Sequence, residues 1–283
     1  MSLAWKTSKR VLPLDTRPLV MGILNVTPDS FSDGGEYFSV DAALVRTEKM
    51  IADGADIIDV GGESTRPGSS RIDANEEIRR TAPVIKAIAE RFPIPISIDT
   101  TRGETAAAAI EAGAEIINDV SGLRFDSQIA ALASETGCGL ILMHSRGPFE
   151  LMHSQEPVSD ILAEVISGLQ RSIRIAKEYG VRDEQIVLDV GLGFGKSSEQ
   201  NLELIAKLDK IVDEFSANPL LVGASRKSFI GKVLDGASPD ERLGGSLCAA
   251  IEAVNRGCAI IRVHDVKQSV DALSMLNAIR AVE

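Results

Sequence analysis

The chain has 283 residues, 44% hydrophobic and 25% charged, with a net charge of −11 at pH 7. That balance describes a globular chain long enough to bury a large core without staples, and it argues against a nucleic-acid partner while leaving room for a local basic pocket. Three cysteines (Cys138, Cys248, Cys258) form no C-x-x-C pair, so neither a zinc centre nor a disulfide framework is expected, and a reducing, cytoplasmic setting fits.

Residues 1–18 precede the first periodic element and read as a short hairpin or cap. MSLAWKTSKR leads into no apolar h-region, and no run reaches about 18 apolar residues, so neither a signal peptide nor a membrane span is expected. LVMGIL (19–24) reads as a strand, and VDAALVRTEKMIADG (40–54) as an amphipathic helix. Next come DGADIIDVGG from Asp53, IPISI (94–98), AGAEIINDVS from Ala112, GLILM (139–143), the helix DILAEVISGLQRSIRIAKEYG (160–180), QIVLD (185–189), PLLVG (219–223), the apolar helix LGGSLCAAIEAV (243–254) and RGCAIIRVHD from Arg256. Three of these segments resemble one another: each leaves a helix at a glycine and enters an isoleucine-rich run typical of a buried parallel strand. Strand and helix alternate through eight units with no linker. The pattern predicts an α/β fold, a (β/α)8 TIM barrel over residues 19–283, ahead of a doubly wound open sheet.

The glycine-rich LDVGLGFGKSS (188–198) is not a phosphate loop, because position 190, where the opening glycine belongs, is Val190. Lys196 in it reads as a surface lysine.

In a barrel the C-terminal strand ends carry the chemistry. Read in order, they present Asn25; Asp59, Glu63, Thr65 and Arg66; Asp99; Asn118 and Asp119; His144; Asp189; Arg226 and Lys227; Arg262, His264 and Asp265. Aligning the three similar segments puts Asp59, Asn118 and Arg262 in one register. Charged groups gathered at one buried mouth are costly unless paired or ligand-bound. Asp99, Asn118 and Asp189 with Lys227 suit a flat heterocycle whose adjacent N–H groups a carboxylate can accept side by side. Asn25, Arg262 and His264 suit an oxyanion such as diphosphate. TPDSFSDGG and ESTRPGSSR read as lid loops. His144 reads as structural or a pocket wall, His153 as exposed, Asp59 and Glu63 as orienting Arg66 or Arg262, and DANEEIRR as a solvated helix start.

MGILNVTPDSFSDGG, DIIDVGGESTRPG, ISIDT, IINDVSG, LMHSRG, GLGFGK, LLVGASRKSFIG and IIRVHDV together resemble the dihydropteroate synthase family, from about Val20 to Leu273. The resemblance implies condensation of (7,8-dihydropterin-6-yl)methyl diphosphate with p-aminobenzoate to 7,8-dihydropteroate and diphosphate, with Mg²⁺, in a cytoplasmic homodimer that sulfonamides target. It places pterin binding on Asp99, Asn118, Met143, Asp189, Phe194, Gly223 and Lys227, and diphosphate binding on Asn25, Arg262 and His264. It places p-aminobenzoate binding on Phe31, Thr65, Arg66, Pro67 and Ser228. Catalysis would fall on Asp99, Lys227, Arg262 and His264, and the metal on Asn25 with Asp33. Two positions depart from the family: Val190 stands where proline is usual, and Ser145 where methionine is frequent. The alternatives are a methyltetrahydrofolate-type methyltransferase and a pterin-binding paralogue without catalysis; ESTRPG, SRKSF and RVHD together argue against the first, and the retained Arg, His and lid residues against the second.

Overall fold

The computed structural model describes residues 3–27, 40–64, 71–151 and 155–282. Phe31, Asp33, Thr65, Arg66, Pro67 and His153 lie outside the described residues.

Eight parallel strands close into a barrel: β3 (Leu19–Asn25), β4 (Ile57–Gly61), β5 (Ile96–Asp99), β6 (Ile116–Asp119), β7 (Gly139–Met143), β8 (Ile186–Asp189), β9 (Leu220–Val222) and β10 (Ile260–Val263). Closure is direct, because β10 pairs with β3 from Ile260↔Leu19 to Val263↔Gly22, so the open-sheet alternative is excluded. The helices α1 (Val40–Ala52), α2 (Ala74–Arg91), α3 (Gly103–Ala112), α4 (Gln128–Thr136) and α5 (Ile161–Glu178) each follow one strand. Two helices follow β8, α6 (Ser198–Ala206) and α7 (Leu208–Glu214), and two follow β9, α8 (Ser228–Val233) and α9 (Leu243–Asn255), before α10 (Val266–Arg280) ends the fold. Among the described residues no helix is long and apolar enough to cross a membrane.

The isoleucine pairs explain how strands without polar alternation keep their register. Successive side chains point to opposite faces of a strand. Ile57, Ile116 and Ile260 pack inside the barrel with Met21, Ile141, Val187 and Leu221, whereas Ile58, Ile117 and Ile261 pack outward among the helix residues. Both faces are buried, so both residues of each pair must be apolar. Counting two residues on from the inner layer gives the next inward positions: Ile23, Asp59, Asn118, Met143, Asp189, Gly223 and Arg262. The fold thereby sets polar groups directly above an apolar floor.

The opposite end of the barrel is covered by the antiparallel pair β1 (Ala4–Lys6) and β2 (Val11–Pro13). Trp5 is fully buried in the inner cluster and donates its indole N–H to the Gln185 carbonyl at 2.8 Å. Gly139 at the start of β7 leaves room for that indole, since a Cβ there would sit 3.0 Å from it.

DANEEIRR is a helix start, but only partly a solvated one. Asp73 caps α2 by accepting from the Glu76 amide, and Glu76 pairs with Arg79 and Arg80. Glu77, in contrast, is buried and bound by Arg102 and Thr105. Its place on the inner face of the amphipathic helix overrides its charge because a guanidinium meets it there.

Candidate active site

Asp59, Asn118 and Arg262 share one register in three strands, and the barrel turns that repetition into a contact. Inward layers are built from alternate strands, here β4, β6 and β10. Asp59 Oδ2 accepts from Arg262 Nε at 2.6 Å and from Asn118 Nδ2 at 3.1 Å. Arg262 Nη2 reaches across to Asp99 Oδ2 at 2.6 Å. Asp59 is fully buried, so it serves to hold Arg262 and Asn118 rather than to meet a ligand. Burial disfavours the Arg262 charge, but Asp59 and Asp99 outweigh it and raise the guanidinium pKa. Burial pushes the Asp99 carboxyl up to about 7 against the pull of Arg262. Arg262 therefore does not sit in a separate anion patch; it borders the same slot as Asp99, Asn118, Asp189 and Lys227.

That slot is walled by Met143 and Phe194 and floored by Gly223. A Cβ at Gly223 would meet Arg262 Cβ only at 3.8 Å and Asp189 Oδ2 at 4.0 Å, so the glycine keeps flat open space beside the carboxylate. Lys227 Nζ lies 4.2 Å from the Phe194 ring centroid, and burial lowers its pKa to about 8 while Asp189 and Asp99 pull it up. Lys227 is aimed inward by Arg226, whose φ of 60° is left-handed and disfavoured for a side-chain-bearing residue. Ser246 Oγ accepts from the Arg226 amide at 3.0 Å, Arg242 donates to its carbonyl at 2.9 Å, and Asp265 takes its guanidinium at 2.6 Å. Three partners from α9 and the β10 exit hold one strained residue in place. Ser228 opens α8 and is exposed, one residue past Lys227.

His264 is half-buried among cations, and its pKa falls to about 3, first through desolvation and then through Arg262 and Arg226. Its imidazole is neutral. Ser225 Oγ accepts from the His264 amide at 3.2 Å and lies 3.1 Å from Nδ1. The hydroxyl has lone pairs for both contacts, so the direction of its hydrogen bond with Nδ1 follows the ring tautomer, and the neutral imidazole carries one N–H. Asn25 Oδ1 and Asp99 Oδ2 both border the space above Gly61, at 3.7 and 3.8 Å from where its Cβ would be.

The turn after β8 is built by Asp189, Gly191 and Lys196. Asp189 Oδ1 accepts from the Gly191 amide at 2.7 Å, and burial raises the carboxyl pKa. The surface reading of Lys196 is wrong. It is 9% exposed, and its Nζ donates to the carbonyls of Gly191 (2.8 Å), Phe194 (3.0 Å) and His144 (3.3 Å). Its sequence neighbours are glycines and serines, which hide the fact that the turn wraps carbonyls around its head.

Glu63 does not orient Arg262. Its carboxylate takes a forked pair from Arg102 at 3.0 and 3.2 Å and accepts the Ile72 amide at 2.8 Å. Arg102 also donates to the Ile72 carbonyl at 2.6 Å. The two ends of the ESTRPGSSR loop are thus tied together by residues that no motif marked. Arg102, Ser225 and Lys196 are the participants that sequence reasoning missed or misplaced.

A closed barrel whose mouth joins carboxylates, an amide and an aromatic wall to a cationic edge defines a pterin-binding enzyme, and the family model described as "Pterin binding enzyme" matches residues 21–264. A dihydropteroate synthase of Synechocystis sp. is 44% identical over 93% of this chain and 90% of its own length. A Xanthomonas albilineans dihydropteroate synthase solved with 4-aminobenzoic acid superposes with a TM-score of 0.93 at 39% identity, covering all of both chains. The same species' enzyme in complex with 7,8-dihydropteroate gives a TM-score of 0.88 at 38% identity over 98% of this chain and all of that one. The chain belongs to the dihydropteroate synthase family of transferases, which sets the methyltransferase alternative aside.

Proposed function

We propose that the chain joins (7,8-dihydropterin-6-yl)methyl diphosphate to p-aminobenzoate, forming 7,8-dihydropteroate and releasing diphosphate. The observation that carries this reading is the inward layer in which Asp99, Asn118 and Asp189 face a slot bounded by Met143 and Phe194, with Arg262 and Lys227 on the same slot. Carboxylates accept the adjacent N–H groups of a pterin edge, and the cations meet the diphosphate that leaves from its side chain.

An arylamine is a weak nucleophile, so departure of diphosphate runs ahead of C–N bond formation. Arg262, with His264 beside it, stabilises the developing charge on the leaving group. Ionised Asp99 stabilises the electron-poor pterin methylene. Among the described residues no group of three His, Cys, Asp or Glu is arranged to hold a metal ion. The Asn25 amide oxygen borders the same space as Asp99, and one neutral oxygen ligand fits Mg²⁺, which keeps water and phosphate oxygens in its shell. Asn25 would hold such an ion, which would supply further neutralisation of the leaving group. The roles of Phe31, Thr65, Arg66, Pro67 and Ser228 toward p-aminobenzoate, and of Asp33 toward the metal, remain part of this proposal. So does competition by sulfonamides for the p-aminobenzoate position. The homodimer is assigned to the α8–α10 side, where Val233, Leu234, Met275 and Ile279 are exposed, and sedimentation velocity checks it.

The deciding experiment is diphosphate release from the pterin substrate with Mg²⁺, with and without p-aminobenzoate. Release that depends on p-aminobenzoate, with dihydropteroate formed in equal amount, establishes the synthase; saturable pterin binding without release rejects it. A pH profile tests Asp99 separately. Lowering the pH through about 7 protonates its raised carboxyl, so kcat/KM for the pterin substrate falls about tenfold per pH unit below that point. A profile flat down to about pH 5 rejects a requirement for ionised Asp99.

A further inference from the structure

A second cavity, of about 240 Å³, lies between the loops that follow β6 and β7 and the start of α5. It shares only the Met143 wall with the pterin slot. Arg124, Arg146 and Arg171 line it, with Glu164 as the one carboxylate among the described residues. Arg124 and Arg146 are held chiefly by neutral carbonyl and hydroxyl oxygens. Arg124 donates to the carbonyls of Ser121 (3.2 Å) and Gly147 (2.9 Å) and to Ser145 Oγ (2.8 Å). Arg146 donates to the carbonyls of Glu156 (2.8 Å) and Gly195 (2.9 Å). Glu164 stands off at 3.8 Å from Arg146 and 3.9 Å from His144. Arg171 has no hydrogen bond or ion pair among the described residues. In a chain of net charge −11 this is a local surplus of positive charge around an open volume.

Two further observations point to a ligand. The His144 side chain is 4% exposed, yet its Nδ1 has no hydrogen-bond partner among the described residues. Its pKa is pressed down to about 2 by burial and then by Lys196, Arg124, Arg146 and Arg171, so it stands as a neutral ring with an unused polar atom. The second is Ser145, whose side chain the pterin reading leaves without a role. Its hydroxyl fixes Arg124 at the cavity rim. A methionine there offers only a weak thioether acceptor.

We propose that this cavity is a binding site for a small, multiply charged oxyanion of the phosphate type, separate from the diphosphate position beside Arg262. Three guanidiniums line one cavity and can supply charge-assisted donors to an oxyanion. Free phosphate, diphosphate and a phosphate monoester share this chemistry. The proposal does not depend on the pterin assignment.

The test is calorimetric titration of the full chain with inorganic phosphate in the absence of magnesium. Binding persists in Arg262→Ala, which removes the cation of the other anion position and leaves one equivalent bound. It weakens at least about tenfold in Arg171→Ala and in Ser145→Met. Arg171 is exposed, so its variant keeps the native Tm and kcat/KM, and the comparison with the unaltered chain stands even where Arg262→Ala fails to fold. No heat up to about 10 mM phosphate, or equal affinity in Arg171→Ala and Ser145→Met, overturns the proposal. Crystals soaked in tungstate locate the site. A peak among Arg124, Arg146 and Arg171 supports it, and a peak confined to Arg262 and His264 overturns it. Diphosphate and a phosphate monoester, titrated the same way, then rank the ligands.

Discussion

Arg262→Ala lowers kcat/KM at least about 100-fold, a loss of about 2.7 kcal/mol of transition-state stabilisation. The guanidinium touches Asp59 and Asp99 at 2.6 Å each, so its removal has two consequences that must be separated. The catalytic one is loss of the cation that meets the leaving diphosphate. The structural one is that fully buried Asp59 keeps only the Asn118 amide, and breaking one side of a buried pair costs roughly 3–5 kcal/mol. Arg262→Lys separates them. It retains the charge but loses the fork, because an ammonium cannot address both carboxylates in that planar geometry. The lysine variant recovers much of the Tm and little of kcat/KM. Turnover within a few-fold of the native value in Arg262→Ala sinks the diphosphate assignment, whatever happens to Tm.

The barrel was legible because eight strand and helix units alternate without a linker, and the polar layer because aligning three similar segments puts its members at the same strand position. An isoleucine pair marks a strand buried on both faces, and the residue two beyond its inner member must point inward. Asp59, Asn118 and Arg262 could thus be placed in one register before any contact was known. Their meeting at one carboxylate oxygen was not legible, since it depends on how β4, β6 and β10 close around the axis. Lys196 shows the other limit. Its burial arises from carbonyls contributed by positions 144, 191 and 194, and a backbone carbonyl carries no side-chain signature. Glu63 and Arg102 are a similar case: the pair spans 39 residues and two strand exits, and nothing local ties them. Ser225 was visible only as a small residue before Arg226; its hydroxyl matters because the chain turns back on His264.

The glycines after β8 carry the second large effect. Gly191→Ala lowers stability by at least about 2 kcal/mol and abolishes measurable pterin binding. Gly191 has a φ of 66°, and a Cβ there would lie 1.9 Å from the His144 carbonyl oxygen. That obstacle is backbone at the end of β7, so no side-chain rotation relieves it. The carbonyl cannot retreat freely, because the His144 amide donates to the Asp189 carbonyl at 2.9 Å and Lys196 binds the same His144 oxygen. The turn must therefore open at Gly191. Opening it withdraws the amide that fixes Asp189 Oδ1 and moves the carbonyl that holds Lys196. Asp189 then loses its aim into the slot. Gly137→Ala is the control, since its φ of 71° imposes the same left-handed strain with nothing within 4 Å of the added Cβ. It costs about 1 kcal/mol and leaves pterin affinity unchanged. Calorimetry on both variants, below their unfolding temperatures, decides the matter. Equal losses of stability with equal pterin affinity would mean that strain alone governs position 191, and that the close approach of β7 to the turn does not set the carboxylate.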